Sequence, residues 1–291
     1  MKRKISFEDK AVTALSYIFM LMLAAVIVIP VLNLMAKAVS SSTAVTSGKV
    51  TVFPIGFQLD TLKSVIVSEK FTSAAGNSVF VTLIGTLIAL FVNALTAYPL
   101  SKKNLSCMKA IMMIFVFTML FSGGLIPTYL LIKNLGLYNK RWALILPTAI
   151  NVYNMLIIKN YYESIPDSIE ESVKIDGAGN FMIFIKFMLP LSKPVLATIC
   201  LFTMVAYWND YFSALMYIDK PALKTLQLYM SEVILEAQQD VDTATLDDLM
   251  NISGESVRCA TIIAATVPIV IIYPFLQKYF IKGIMIGSVK G

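Results

Sequence analysis

The residues from 161 to 193 have the types and spacing of a binding element rather than of a catalytic centre. Pro166 prevents a helix from continuing through this segment. Ser168 precedes Glu171 by three positions, which is the S-x-x-E pattern of a capping box at the start of a helix. A helix of about two turns is barely stable alone in water. We therefore expect the helix that begins near Ser168 to require a partner surface.

The residues that follow predict how this helix is held and where it ends. Glu170 precedes Lys174 by four positions, the order that favours an ion pair of about 0.3–0.5 kcal/mol. Gly177 and Gly179 can supply the left-handed backbone that ends a helix, and a second helix is expected from Asn180. Such a segment differs from a flexible linker rich in glycine and serine. The sequence therefore predicts a short, stiff helix-turn-helix.

Several side-chain patterns that catalysis or metal binding requires are missing from the sequence. The chain has no histidine, which excludes a Ser-His-Asp triad, a Cys-His pair and a His-ligated metal site. Cys107, Cys200 and Cys259 lie far apart, and no Cys-x-x-Cys pair exists. The nucleotide-binding pattern GxxxxGK[ST] is also absent. We therefore expect neither an enzyme nor an ATPase, and no bound metal or cofactor.

The elements that must position these residues are apolar helices. Of the 291 residues, 57% are hydrophobic and 14% are charged, and the mean hydropathy is +0.75; soluble domains are about 25% charged. A helix needs about 20 apolar residues to cross a bilayer. We expect an all-α integral membrane protein whose six transmembrane helices lie at about 11–36, 73–100, 110–132, 142–160, 194–218 and 259–280. Three asparagines in these spans can make polar contacts between helices: Asn93, Asn151 and Asn154.

The orientation follows from the Lys and Arg residues. An even number of spans places both termini on one side. With that side inside, the inner segments hold 14 of the 24 basic residues and the outer segments hold 10, which is the direction of the positive-inside rule. Lys133, Lys140 and Arg141 run against it. The expected cytoplasmic parts are the N-terminal tail 1–10, the loop 161–193 and the C-terminal tail 282–291.

One polar cluster falls inside the fifth span. Asp210 is the only acidic residue in 194–218, and Trp208, Asn209 and Tyr211 are its neighbours. A charge inside a span is costly and usually faces a cavity or a partner, and aromatic faces suit sugar rings. These four residues are candidates for a translocation path. In the alternative, Asp210 and Asn209 bond to neighbouring helices while the aromatic rings pack.

The run from Glu171 to Ala178, Glu-Ser-Val-Lys-Ile-Asp-Gly-Ala, and the later Leu189-Pro190 resemble the EAA loop of ABC-importer permeases. The family pattern is Glu-Ala-Ala, then a Gly, then a Leu-Pro. Here Ser172 and Val173 replace the two alanines.

Three further segments extend the resemblance over most of the chain. Trp208-Asn209 is similar to a Trp-Asn pair of carbohydrate-importer permeases, and residues 287–291, Gly-Ser-Val-Lys-Gly, are similar to their Gly-Ala-Val-Lys-Gly ending. Residues 121–147 resemble a subgroup that takes up oligosaccharides from plant or algal polysaccharides. The chain is thus identified as a maltose-importer-like, binding-protein-dependent permease of the carbohydrate-uptake family, closest to this subgroup.

The resemblance implies a type I importer transmembrane domain over residues 11–281, in the bacterial cell membrane. The implied partners are a second homologous permease, two ATP-binding subunits that carry ATP and Mg, and an extracellular or periplasmic sugar-binding protein. The implied substrate is an oligosaccharide, and nucleic acid is not an expected partner. Alternating access would be driven by the ATPases.

The resemblance also implies roles for individual residues. The helix near Ser168 would sit in a cleft of an ATPase subunit. Glu171 either pairs with a cationic ATPase group or holds the loop through its capping bond, and Gly177 permits the turn. The residues expected to take part in coupling are Ser168, Glu170, Glu171, Lys174, Asp176, Gly177, Ala178 and Pro190.

Two polar segments outside the spans have open interpretations. The tail residues Lys290 and Gly291 either reach into the ATPase dimer or form a frayed end. The acidic segment 219–257, placed outside, can help to receive the sugar-binding protein. Its aspartates lack the spacing of an EF-hand, so we interpret it as a solvated surface.

Three other functions fit the sequence less well. A permease for amino acids, phosphate or metal would share the loop but not the other two signatures. A secondary transporter would show inverted repeats and broken helices, and the sequence has no convincing internal repeat. An intramembrane enzyme lacks histidine and paired carboxylates in the spans.

Overall fold

The computed structural model describes residues 7–102, 107–243 and 254–288. Every regular element in these ranges is helical, as the all-α expectation requires. The α-helices are α1 Phe7–Ala38, α2 Ser42–Thr46, α3 Asp60–Val67, α4 Glu69–Leu100, α5 Met108–Leu120, α6 Leu125–Asn134, α7 Trp142–Ile145, α8 Val152–Glu163, α9 Asp167–Ile175, α10 Asn180–Ile183, α11 Leu189–Leu191, α12 Lys193–Trp208, α13 Phe212–Tyr217, α14 Leu226–Thr243 and α15 Gly254–Ser288. Short 3-10 turns cover Leu146–Thr148 and Pro221–Leu223, and a π-helical segment covers Phe184–Met188.

The chain divides into two compact units. One consists of Met1–Ser68 and Met230–Val267, and the other of Glu69–Tyr229 and Pro268–Gly291. In the first unit, α1 is exposed at every residue from 12 to 32, which is expected of a helix covered by lipid or by another subunit.

Three helices are long and apolar enough to cross a bilayer alone within the described ranges: Val12–Ala38, Glu69–Leu100 and Gly254–Ile271. They lie in α1, α4 and α15, at the positions expected for the first, second and sixth spans. The helix α1 begins at Phe7, so part of the expected tail 1–10 is helical.

The other three expected spans are not single helices. The third is split between α5 and α6, which meet at 112°, and the fourth is bent by 50° between α7 and α8. The helix α12 ends at Trp208 and α13 resumes at Phe212, so 194–218 is not continuous. Hydropathy predicts the extent of these spans but not their breaks. In the break before α6, Gly124 has φ +89°, which interrupts regular helix. A third bent pair joins Asn180–Leu191 to Lys193–Trp208 at 80°, and counting each of the three bent pairs as one span gives up to six spans.

The second unit is organised around α4. One half of α4 packs with α8, the π-helical segment and α12, and the other half packs with α7, α13 and the end of α12. A Cβ atom at Gly85 would lie 2.9 Å from the ring of Tyr207. The close approach of α4 and α12 therefore requires glycine at this position.

A buried asparagine on α4 forms hydrogen bonds with backbone groups at the break between α7 and α8. Asn93 Nδ2 donates to the carbonyl of Ala149 at 2.8 Å, and Asn93 Oδ1 accepts from the N–H of Asn151 at 3.1 Å. Asn151 in turn caps α8 by accepting from the N–H of Asn154 at 3.0 Å. Backbone groups freed by a break inside a membrane need such partners. Asn93 thus makes the polar contact between helices that was expected of it, whereas the Asn151 side chain caps its own helix.

Candidate coupling site

The helix α9 begins differently from the sequence prediction. Pro166 is its N-cap and Asp167 its first residue, and no side chain makes a capping hydrogen bond. Because the helix starts before Ser168, this serine lies inside the first turn, and its hydroxyl is not in the capping position. The predicted capping box of Ser168 and Glu171 is therefore wrong. Asp167 and Glu170 instead place negative charge in the first turn, which favours the helix dipole.

Glu170 is the buried carboxylate of the site. Its side chain is 11% exposed, and it forms ion pairs with Lys102 and with Lys174, the latter at 2.9 Å. The pair with Lys174 is the one that the spacing predicts. Tyr98 also donates to Glu170 Oε1 at 3.4 Å, and Lys102 lies 4.7 Å from the centre of the Tyr98 ring. Because Tyr98 lies in α4 and Lys102 lies two residues after that helix ends, the carboxylate joins α9 to the end of the second span.

Opposing effects set the charge of Glu170. Burial disfavours the charged carboxylate, but the hydrogen bonds and positive charges of Lys102 and Lys174 outweigh it and hold the pKa of Glu170 below its usual value. The group is thus an anion held between two cations. The sequence does not predict Lys102 and Tyr98 as partners of Glu170, because nothing in the order of residues reveals a contact with another helix.

The end of α9 is a rigid turn. Gly177 has φ +82°, as expected for the glycine that ends a helix. The N–H of Ala178 donates to the carbonyl of Val173 at 3.2 Å and that of Gly177 to Lys174 at 3.0 Å, which is the Schellman pattern. Gly179 has φ −73°, so the prediction of a left-handed backbone there was wrong. The next helix begins at Asn180 as predicted.

The two faces of α9 differ in what they contact. Val173 of α9, and Ala178 just after the helix, pack against the buried residues that α4 shares with α8, the π-helical segment and α12; we call these residues the hydrophobic cluster. The opposite face carries Ser168, Glu171 and Ile175, all exposed, with Ile175 86% exposed. Within the described ranges the Glu171 carboxylate makes no hydrogen bond or ion pair. We call Ser168, Glu171, Ser172 and Ile175 the outer face of α9.

The segment after the turn packs against the same buried residues as α9 does. Phe184 and Met188 of the π-helical segment are buried in the hydrophobic cluster. Pro190 lies exposed in α11, and Asp176, also exposed, ends α9. An open groove of about 680 Å³ separates this segment from α9 and the end of α4. The predicted coupling residues thus form one continuous element, apart from the unformed cap.

The residues proposed for a translocation path lie at the break between α12 and α13. Trp208 is buried, Asn209 is exposed, and Asp210 and Tyr211 are half-buried. Asp210 Oδ1 accepts from the N–H of Ser213 at 3.1 Å, so its carboxylate stabilises the first turn of α13 rather than bonding to a neighbouring helix. Tyr211 packs against the buried residues that α4 shares with α7, α13 and the end of α12.

Other candidates are outside the described ranges or form no site. Lys290 and Gly291 lie outside the described residues, as do Asp247 and Asp248. Among the residues that the structure describes, no group of three or more Cys, Asp or Glu side chains could hold a metal ion.

Comparisons with known proteins give a consistent result. Residues 104–286 match the protein family described as binding-protein-dependent transport system inner membrane component. The chain is 42% identical over 98% of its length to all of the polygalacturonan/rhamnogalacturonan transport system permease protein YtcP of Bacillus subtilis. It is also 42% identical to protein LplC of the same bacterium, over 92% of this chain and 90% of LplC.

Solved structures show the same fold. One chain of a bacterial ABC transporter involved in the import of the acidic polysaccharide alginate superposes with a TM-score of 0.88 at 30% identity, covering 96% of this chain and 100% of that one. A second alginate transporter chain, in a complex with an alginate pentasaccharide-bound periplasmic protein, shares the fold with a TM-score of 0.60 at 16% identity, over 94% and 96% of the two chains. The expected fold of an importer permease is thereby confirmed.

Proposed function

Because this chain belongs to the family of binding-protein-dependent transport system inner membrane components, we propose that it is the permease subunit of an ATP-driven importer of an oligosaccharide. The similarity over nearly the whole length to a polygalacturonan/rhamnogalacturonan permease supports the choice of a sugar over other solutes. Two ATP-binding subunits would hold ATP and Mg, a second permease would complete the pore, and a binding protein would deliver the sugar.

The coupling role is supported by the different environments of the two sides of α9. Its inner side is fixed to the end of α4 by Glu170 and Lys102, while its outer face presents Glu171 and Ile175 without partners of their own. An exposed carboxylate beside an exposed aliphatic side chain suits a cleft with a cationic group. The outer face would occupy that cleft on an ATPase subunit, and Glu171 would pair with the cation rather than cap its own helix.

Coupling then follows from rigidity. When the two ATPases close on ATP, the docked helix moves with its ATPase. The ion pair at Glu170 and the packing of Val173 transmit this movement to α4 and the hydrophobic cluster. The pore then changes between two states of a packed assembly. This arrangement requires α9 on the cytoplasmic side, with both termini inside and residues 219–257 outside.

A glycine pair provides the experiment. Gly177→Asp places a side chain at φ +82° on the turn, whereas Gly179→Asp places the same charge two residues later at φ −73°, and neither Cβ would contact a neighbour. We expect Gly177→Asp to insert into the membrane but to lose ATPase co-purification and sugar uptake. Gly179→Asp should retain most of both. Full uptake by Gly177→Asp with the ATPase still bound would refute the coupling role.

A further inference from the structure

Three lysines on the surface of the second unit have no acidic partner. Lys133 lies in the last turn of α6, Lys140 just before α7, and Lys220 in the loop after α13, and all three are exposed. None of them forms an ion pair within residues 7–102, 107–243 and 254–288. Arg141 is different, because its Nε donates to Asn77 Oδ1 at 2.9 Å and its guanidinium lies over the Phe80 ring.

Backbone contacts hold two of these lysines on one small surface. The N–H of Asn139 donates to the carbonyl of Tyr217 at 2.9 Å. Asn139 Oδ1 accepts from the N–H groups of Asp219 at 2.7 Å and of Lys220 at 3.1 Å. Asn139 adopts φ +57° to make these contacts, an uncommon conformation outside glycine. Lys140 is its neighbour in sequence, so Lys140 and Lys220 project from two joined loops.

The nearby acid, Asp219, forms no ion pair with these lysines within the described residues. Its Oδ2 instead accepts a hydrogen bond from the Tyr138 hydroxyl, which raises the pKa of Tyr138. The Asp219 carboxylate keeps its negative charge in this hydrogen bond. One carboxylate beside three lysines leaves an excess of positive charge on these loops.

Aromatic rings lie against the same loops. The ring of Tyr129 is 5.8 Å from that of Tyr138 in an edge contact, and 6.4 Å from that of Tyr217 in a stacked one. Tyr129 and Tyr138 are each partly exposed. The faces of tyrosine rings suit the apolar faces of pyranose rings, and lysine ammonium groups suit carboxylates.

The position of the lysines is unfavourable for membrane insertion. In the proposed orientation they lie outside, where Lys and Arg oppose the positive-inside rule. Ten of the 24 basic residues lie outside in this orientation, so the bias alone does not mark a site. What distinguishes these lysines is the joining of their loops beside the tyrosine rings.

Lys133 follows Tyr129 by four positions in α6, so these two side chains lie on one face of that helix. We propose that Lys133, Lys140 and Lys220, with the Tyr129 and Tyr138 rings, form a site for the carboxylates of a uronate-containing oligosaccharide entering the importer. We call this site the outer cationic surface. The inference rests on the proposed function for its orientation and for the sugar, and it adds that the sugar is acidic. The lysines bind the carboxylates and the tyrosines contact the rings.

The test measures binding directly, without transport. The assembled importer, in nanodiscs and without its binding protein, is examined by saturation-transfer NMR with trigalacturonate and with an uncharged galactose trimer. We expect transfer to trigalacturonate alone. The triple variant Lys133→Gln, Lys140→Gln, Lys220→Gln should bind trigalacturonate about tenfold more weakly, since it loses three exposed cations whose individual ion pairs are weak.

Matched variants separate a local site from a general charge effect. Changing the same lysines to Arg should preserve binding, and the variant Lys49→Gln, Lys63→Gln, which removes exposed cations from the loop between the first two spans, should bind as the wild type does. Equal transfer to both trimers, no transfer to either, or loss in the Lys49 and Lys63 variant would overturn the inference. None of these results would affect the proposed function, which is tested by uptake and ATPase co-purification.

A third result would assign the surface to a protein partner. If the triple Gln variant binds trigalacturonate normally but needs more binding protein for half-maximal ATPase stimulation, the lysines dock that protein and the sugar site is refuted.

Discussion

The carboxylate of Glu170 in α9 is bonded to Lys102, 68 positions earlier in the chain. Lys102 lies two residues after the end of α4, the helix around which the second unit is packed. The contact is therefore the polar link between the proposed ATPase-docking helix and the centre of the permease. Glu171, its neighbour, is exposed on the other side. Adjacent glutamates thus have different environments: Glu170 is buried against the permease, and Glu171 is exposed to the proposed partner.

Replacing Glu170 by Gln should weaken this link. The variant leaves two cations facing a neutral amide, and a lost hydrogen bond to a charged group costs about 1–3 kcal/mol. We expect a lower melting temperature of the assembled importer and less sugar transported per ATP hydrolysed. The control is Glu163→Gln, whose carboxylate pairs at 2.8 Å with Lys159 of its own helix and should cost less than about 1 kcal/mol. Equal effects of the two variants would contradict a special role for Glu170.

The same carboxylate predicts a dependence on pH. Its pKa in the folded protein lies below the usual 4.5, so its stabilising contribution is complete above about pH 4.5 and is lost as the pH falls through the folded pKa. The difference in melting temperature between wild type and Glu170→Gln should therefore be constant near neutral pH and shrink below that value. A difference that grows on acidification would mean that the folded pKa is raised instead.

The turn after α9 offers a test of backbone strain. Gly177→Ala forces a Cβ onto a residue at φ +82° and should cost about 1–2 kcal/mol. Gly179→Ala, at φ −73°, should change stability by less than about 0.5 kcal/mol. Thermal unfolding of the purified importer measures both. A neutral Gly177→Ala would show that the turn relaxes readily and is not stiff.

Two substitutions of Asp210 distinguish the effect of its charge from the effect of its hydrogen bond. Asp210→Ala removes the acceptor for the Ser213 N–H and should destabilise the protein by about 1 kcal/mol. Asp210→Asn keeps an acceptor oxygen and should restore stability. If uptake also recovers in Asp210→Asn, the residue acts through the turn. Normal melting with lost uptake would instead show that the charge itself serves translocation.

The sequence predicts well those features that depend on neighbouring residues. The ion pair of Glu170 with Lys174, the turn at Gly177 and the helix from Asn180 all follow from local spacing. The capping box at Ser168 fails for a local reason as well, because Pro166 takes the N-cap and shifts the helix start. A short motif predicts the end of a helix to within about two residues, whereas a capping hydrogen bond requires the first residue of the helix to be known.

Features that depend on other helices are beyond the sequence pattern. The third, fourth and fifth spans are uniformly apolar, or nearly so, and hydropathy alone does not show that they bend. The bend before α8 depends on Asn93, which lies on α4 and supplies both a donor and an acceptor to it. Similarly, the partner of Glu170 could not be chosen among 24 cations without the fold.

The bend of 112° between α5 and α6 bears on how the subunit is placed among its neighbours. Residues 121–124 are all exposed there, and their backbone does not complete regular helical bonding. Hydrocarbon cannot solvate free peptide groups, so non-helical chain at that depth must be covered by protein or wetted by a channel. The side of the subunit that carries this bend must therefore turn away from the acyl chains, toward another protein, such as the proposed second permease, or toward an aqueous passage.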